Sequence, residues 1–123
     1  MRVLIYGREI LAQRIKAVLA DRDVEVISPS PEDLAELRKG NYDIVMVDAL
    51  IPQVEEICEM LKDISNASVL VMVNRKQADW NRLLKLETTG YIEDTIGKTE
   101  LIARLEAVER RYQSFKGGRN VGA

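Results

Sequence analysis

The chain has 123 residues, 46% of them hydrophobic, with 18 basic and 20 acidic residues and a formal net charge of −2. This length fits one domain, and the composition is that of a chain with a hydrophobic core, which argues against disorder. Because there is no basic surplus, we expect no direct binding of nucleic acid by this domain and no membrane partner. The absence of histidine excludes histidine-based acid–base catalysis.

The chain begins with two predicted strand–helix units. Residues 3–6 form a continuous apolar run, typical of a strand covered on both faces, and residues 8–20 carry apolar side chains at helical spacing. Residues 24–27 predict a second strand. Residues 30–40 predict a second helix, because a serine N-cap, a proline and two acids open it and a glycine closes it.

The middle of the chain repeats this pattern. Residues 44–47 form the most apolar strand, which ends at Asp48, and residues 52–64 predict an amphipathic helix. Residues 69–73 predict a fourth strand and residues 78–87 a fourth helix. Asp48 is therefore expected at the carboxyl end of a buried central strand.

The last unit is a short strand at residues 91–92 and a helix at residues 97–112. Strands that alternate with helices predict a parallel sheet with helices on both faces. Five such units in this length fit an α/β, flavodoxin-like (βα)5 three-layer sandwich with strand order 2-1-3-4-5. Ligands bind such sheets beyond the carboxyl ends of strands one and three, which places the candidate site at residues 7–9 and Asp48.

The chain divides into a domain at residues 1–112 and a glycine-rich segment at residues 113–123, which we expect to be a flexible tail or linker. An output domain beyond residue 123 is compatible with this ending. The single cysteine, Cys58, lies on the apolar face of its helix, and we interpret it as a buried side chain, not a reactive thiol. Because the chain has one cysteine and its first residues read as a strand and not as a signal peptide, we expect a cytoplasmic protein.

Over residues 1 to about 112 the chain resembles the receiver domain of bacterial response regulators. Asp48 closes the third strand and Pro52 follows four residues later, as in that family. Tyr91 stands at the family's switch aromatic, and residues 100–105 are most similar to CheY-like receivers of the OmpR kind. The resemblance implies a two-component phosphorelay through Asp48 with magnesium, and a dimer face on the fourth helix, fifth strand and fifth helix.

The groups around Asp48 depart from the family pattern. The altered pocket consists of Gly7, Arg8, Glu9, Asn74, Asp94 and Thr95. Its first two residues stand where the family has adjacent metal-binding acids. Asn74 replaces a hydroxyl residue and Asp94 replaces a phosphate-binding lysine. The cation Arg8 therefore follows the first strand, where the family has acids, and the acid Asp94 follows the fifth strand, where the family has a cation.

This exchange predicts a pocket without metal chemistry. Magnesium prefers carboxylates and water, and phosphoryl transfer depends on cations around the phosphoryl group. We therefore expect no cofactor, with Mg²⁺ required only if Asp48 is phosphorylated, in which case Glu9 and Asp48 are the remaining candidate ligands. We hypothesise that Arg8 pairs instead with Asp48, Asp94 or both, in place of a metal ion.

These features predict a degenerate receiver, or pseudo-receiver, that acts in bacterial signal transduction as a protein-interaction or dimerisation module. It would not be an enzyme, and Asp48 would not be efficiently phosphorylated. One alternative is a functional response regulator receiver phosphorylated on Asp48. The other is a flavodoxin-like small-molecule-binding domain, against which the missing glycine-rich phosphate loop argues.

The expected partner is another protein or a second copy of the chain. The predicted interaction face consists of Trp80, Leu83, Tyr91, Glu100, Arg104 and Arg111. Trp80 is equally compatible with a core position in register with Leu83, so its orientation decides between an anchor for a partner and a packing residue.

Overall fold

A computed structural model describes residues 1–22, 25–27, 42–64, 67–86, 88 and 90–122. The strands are β1 (Arg2–Tyr6), β2 (Glu25–Ile27), β3 (Ile44–Asp48), β4 (Ser68–Val73) and β5 (Gly90–Glu93). The described helices are the first helix (Glu9–Val18), the middle helix (Val54–Ile64), the short helix (Trp80–Leu83) and the last helix (Lys98–Gly122). The predicted helix at residues 30–40 lies outside the described residues.

The five strands form one parallel sheet in the order β2-β1-β3-β4-β5. This confirms the predicted fold class and strand order. The register pairs Tyr6 with Val47 and Asp48 with Met72, so β1 and β3 end beside each other. The residues that follow these two strands therefore meet at one edge of the sheet.

The sheet separates two hydrophobic clusters, as the two-residue repeat of a strand requires. Leu4 and Tyr6 of β1 lie on the side covered by the middle helix, together with Leu83 of the short helix. Val3 and Ile5 point to the other side, where the first and last helices pack. All five residues of β3 are buried, which fixes the position of Asp48 at its end.

Two predicted helices have the wrong length. The fourth is confined to Trp80–Leu83, because the chain then tightens into turns in which the amides of Lys85 and Leu86 bond to carbonyls three residues back. The last helix does not end at residue 112 but continues through Gly122. Glycines within it cost only about 1 kcal/mol each, and they keep the backbone amides that a proline would remove. The role of residues 113–123 as a linker stays a prediction.

Across the ranges that the structure describes, none of the helices combines the length and the apolar character needed to cross a lipid bilayer. The last helix, although long, is largely polar: it begins with Lys98 and carries charged side chains through most of its turns.

Candidate functional site

The candidate site lies where β1 and β3 end. Asp48 is the last residue of β3, and only 1% of its surface is exposed. Gly7 and Arg8 follow β1, and Arg8 is the N-cap residue of the first helix. A buried carboxylate thus faces the N-terminal end of a helix, which is the positive end of the helix dipole.

Arg8 is the main partner of Asp48. The backbone N–H and Nε of Arg8 both donate to Oδ2 of Asp48, at 3.1 and 2.6 Å. Nη2 of Arg8 donates to Oδ1 at 3.4 Å, and the backbone N–H of Leu50 donates to the same oxygen at 2.9 Å. Both oxygens of the carboxylate are therefore bonded to donors supplied by the chain itself.

The same guanidinium reaches Asp94. Nη2 of Arg8 lies 3.7 Å from Oδ2 of Asp94, a mostly buried residue that follows β5. The Arg8 side chain is 39% exposed, so it lies partly at the surface while Nε and Nη2 face the two carboxylates. The structure thus brings Arg8 to both acids named in the sequence-based hypothesis, and it connects the ends of β1, β3 and β5.

Gly7 allows the close approach of these strand ends. A Cβ atom added to Gly7 would lie 2.2 Å from Cβ of Asp48, and 3.1 Å from both Cγ and Oδ2. Real side chains do not approach so closely, so a larger residue would force the strand ends apart. The glycine is therefore part of the site. In the sequence it was recognised only as a position where the family has an acid, and this did not reveal that the site needs a residue without a side chain.

The residues of the cleft do not fit a magnesium ion. Mg²⁺ needs several oxygen ligands in near-octahedral order, whereas the oxygens of Asp48 already accept bonds from Arg8 and Leu50. Glu9, the other candidate ligand, is exposed and accepts a hydrogen bond from Gln13 at 3.0 Å. In the described part of the chain, no group of three or more histidine, cysteine or acidic residues is placed to hold a metal ion.

For two other residues of the altered pocket, Asn74 and Thr95, no hydrogen bond to Asp48 is found among the described residues. The side-chain oxygen of Asn74 accepts a bond from the backbone N–H of Lys76 at 3.0 Å, which engages it in its own loop. Thr95 is exposed. The ion pair of Asp48 that the structure describes is the one with Arg8.

The aromatic residues form a separate surface beside β5. The hydroxyl of Tyr91 donates to the carbonyl oxygen of Leu83 at 2.5 Å. Its ring meets that of Trp80 edge to face, with the ring centroids 5.8 Å apart. Trp80 is 40% exposed, so it lies at the surface and not in the core. Nη2 of Arg104 donates to the carbonyl of Tyr91 at 3.0 Å, and Glu100 is also exposed.

Leu83 does not belong to this surface. It is only 2% exposed and packs in the cluster under the short helix, so its assignment to the interaction face was wrong. Leu84, one residue later, is 68% exposed, a residue that sequence reasoning missed because the length of this helix was misjudged. Arg111 was also assigned to the face, but its side chain lies outside the described residues.

Cys58 is buried, as expected, and its chemistry is suppressed. Burial raises the pKa of the thiol to about 11, and the carboxylates of Glu55 and Glu59 add to the shift. Because the thiolate is the nucleophilic form, this cysteine is mostly unreactive at neutral pH.

The comparisons with known proteins point to one class. No family model matches the chain. The chain is 29% identical over 115 residues to the sensory transduction protein RegX3 of Mycolicibacterium smegmatis, which covers 89% of this chain and 50% of that protein. It is 32% identical over 80 residues to the heme response regulator HssR of Staphylococcus epidermidis, which covers 63% of this chain and 36% of that protein. The chain therefore spans half the length of these curated relatives or less.

A solved structure shares the fold. The receiver domain of the sensor histidine kinase PA1611 from Pseudomonas aeruginosa PAO1, with a magnesium ion coordinated in its active site cleft, matches with a TM-score of 0.75 at 14% identity. The match covers 88% of this chain and 96% of that one. The fold is thus that of a receiver domain. In sequence the chain is similar to a sensory transduction protein and to a response regulator, and in fold it is similar to receiver domains.

Proposed function

We propose that this domain is a degenerate receiver that acts through protein contacts in bacterial signal transduction, without efficient phosphorylation of Asp48. The observation that carries the proposal is the guanidinium of Arg8, which bonds both oxygens of Asp48 and reaches Asp94. A receiver that accepts phosphate needs a metal ion beside a free carboxylate, and here a cation of the chain itself is bonded to that carboxylate. The domain is a cytoplasmic binding module and not an enzyme.

The chemistry of phosphoryl transfer supports this proposal. An attacking carboxylate must be free to approach the phosphorus, and the charge that develops must be neutralised by positioned cations. Here the attacking oxygens are engaged by Arg8, and Asp94 adds a second negative charge to the cleft. Loss of one such stabilising group slows a reaction about 100-fold or more, and several are absent here.

Incubation with a small-molecule phosphodonor and Mg²⁺ tests the proposal. Intact-mass analysis is expected to find no phosphoryl adduct on this domain under conditions that label a receiver with an intact acid pair. The alternative, a working receiver phosphorylated on Asp48, is favoured only by the retained position of this aspartate at the end of β3. A phosphoryl adduct on the native chain that is absent from Asp48→Asn would establish that alternative.

The surface beside β5 supports the interaction part of the proposal. We define the β5 face by the exposed or half-buried residues Trp80, Leu84, Tyr91, Glu100 and Arg104. Tryptophan, tyrosine and arginine dominate the energetic centres of protein interfaces. Glu100 and Arg104 carry opposite charges one helical turn apart, which fits pairing with the same residues of a second copy.

We expect Trp80→Ser to weaken self-association through the β5 face by at least about tenfold in Kd, because a buried aromatic anchor contributes on the order of 2 kcal/mol. Sedimentation velocity over a concentration series measures this change. Ile10→Ser, which removes an exposed apolar side chain of the first helix, is the matched control and should leave the Kd unchanged. A chain that stays monomeric at every concentration, or equal association of wild type and Trp80→Ser, would contradict a homodimer through this face.

A further inference from the structure

We infer that Gly7 allows the guanidinium of Arg8 to occupy this cleft in place of a metal ion. Because Gly7 has no Cβ, the end of β1 lies close enough to β3 for Arg8 to bond the carboxylate of Asp48. Gly7 is on this account a positioning residue that acts through Arg8. The inference rests on the proposed function and adds that the backbone, and not only the charge of Arg8, excludes a metal ion from this cleft.

Space, and not backbone conformation, is the reason for the glycine. None of the described glycines has a positive φ, so the backbone of Gly7 is open to other residues. The added Cβ, however, would lie 2.2 Å from a side-chain carbon of the fully buried Asp48. Asp48 cannot yield easily, because β3 is buried along its whole length and hydrogen-bonded to a neighbouring strand on each side. A side chain at residue 7 must therefore move the end of β1.

That movement would act on Arg8 directly. Within the described ranges, four hydrogen bonds reach the carboxylate of Asp48, and three of them start from Arg8: from its backbone N–H, Nε and Nη2. The fourth, from the N–H of Leu50, comes from the loop after β3 and does not depend on β1. Displacing β1 by the distance that a Cβ requires would lengthen the first three bonds together and leave the fourth.

The cleft therefore holds the guanidinium only when residue 7 has no side chain. The pair of residues following β1 works as a unit, in which Gly7 supplies the space and Arg8 supplies the donors. An acid at residue 7, where the receivers that this chain resembles have one, does not fit the backbone observed here. Replacing Arg8 alone by an acid would therefore not rebuild the paired-acid metal site, because a second acid at residue 7 would clash with Asp48.

A double-mutant cycle between Gly7→Ala and Arg8→Met tests this inference through urea unfolding. In the native background, Arg8→Met is expected to raise the unfolding equilibrium constant about 30-fold or more. In the Gly7→Ala background the same change should raise it less than about threefold, because the guanidinium has already lost its bonds to Asp48. Gly90→Ala is the matched control, since its added Cβ meets only Cδ2 of Leu70 at an ordinary 3.7 Å.

Equal effects of Arg8→Met in both backgrounds would overturn the inference, because Gly7 would then act on packing alone. So would a Gly7→Ala variant as stable as Gly90→Ala. Additive effects in this cycle would leave the proposal that Asp48 is not efficiently phosphorylated unaffected. A phosphoryl adduct on Asp48 would contradict that proposal without making the cycle additive, so the inference and the proposed function can fail separately.

Amide hydrogen exchange on the native chain keeps the inference testable if Gly7→Ala does not fold. The first amides of a helix lack partners within the helix, so those of Glu9 and Ile10 should exchange rapidly. The amide of Arg8 donates to Asp48 and should exchange at least about tenfold more slowly than these two. Exchange of the Arg8 amide as fast as that of Glu9 would show that the close approach does not persist in solution.

Discussion

Arg8→Met is expected to lower the free energy of unfolding by about 2–3 kcal/mol, because it leaves the carboxylate of Asp48 buried without its counter-ion. Removing one member of a fully buried ion pair costs about 3–5 kcal/mol, and the expected loss lies below this range because Arg8 is partly exposed. Methionine retains most of the aliphatic stem, so the loss reports the guanidinium and not the packing.

Urea unfolding at neutral pH measures this loss. Arg14→Met is the control, because it removes an exposed arginine from the same first helix with the same change of net charge. Because Arg8 pairs with buried acids, the free energy of unfolding should fall clearly more in Arg8→Met than in Arg14→Met. A loss for Arg8→Met within about 0.5 kcal/mol of the control would mean that the contacts with Asp48 and Asp94 contribute little.

Asp48→Asn is expected to destabilise the domain by about 2 kcal/mol, and the sign of this effect is as informative as its size. The amide has one accepting oxygen, so its NH₂ group would face donors of Arg8 or Leu50. The variant also removes the charge that attracts the guanidinium. In a cleft lined by several acids, the same substitution would relieve like-charge repulsion and stabilise the fold.

The matched control for this prediction is Glu9→Gln, which makes the same change of charge at an exposed neighbouring position and retains an acceptor for Gln13. Thermal and urea unfolding of both variants give the comparison. An Asp48→Asn variant more stable than the native chain would indicate an acid cleft of the metal-binding kind and would contradict the ion pair seen here.

The sequence predicted the fold well because its signal is local. Each buried strand is a continuous apolar run, and β3 is the clearest of these, so the strand order and the position of Asp48 could be derived from the alternation of elements. The lengths of helices were less predictable. The short helix ends after Leu83 in tight turns that no capping residue announces, and the spacing of apolar residues did not show that Leu83 is buried and Leu84 exposed.

The candidate site was only partly accessible from sequence. The exchange of charges between Arg8 and Asp94 was visible in the residue types, and it predicted which groups could pair. Which acid the guanidinium contacts depends on a side-chain rotamer, and the role of Gly7 depends on the distance between two strand ends. Both are tertiary properties that residue spacing along the chain does not encode. The N–H of Leu50 that donates to Asp48 belongs to the backbone, so the residue type at this position gives no sign of the bond.

The most direct test of the central claim is an amide NMR titration of the native chain with Mg²⁺ and then beryllofluoride, a stable mimic of the phosphoryl group. A receiver with an intact acid pair serves as the positive control under the same conditions. If Arg8 occupies the cleft, the amide signals of Gly7, Arg8, Asp48, Leu50 and Asn74 will remain unchanged at millimolar concentrations of both. Saturable shifts of these signals that are lost in Asp48→Asn would show that Asp48 accepts a phosphoryl mimic, and they would contradict the claim.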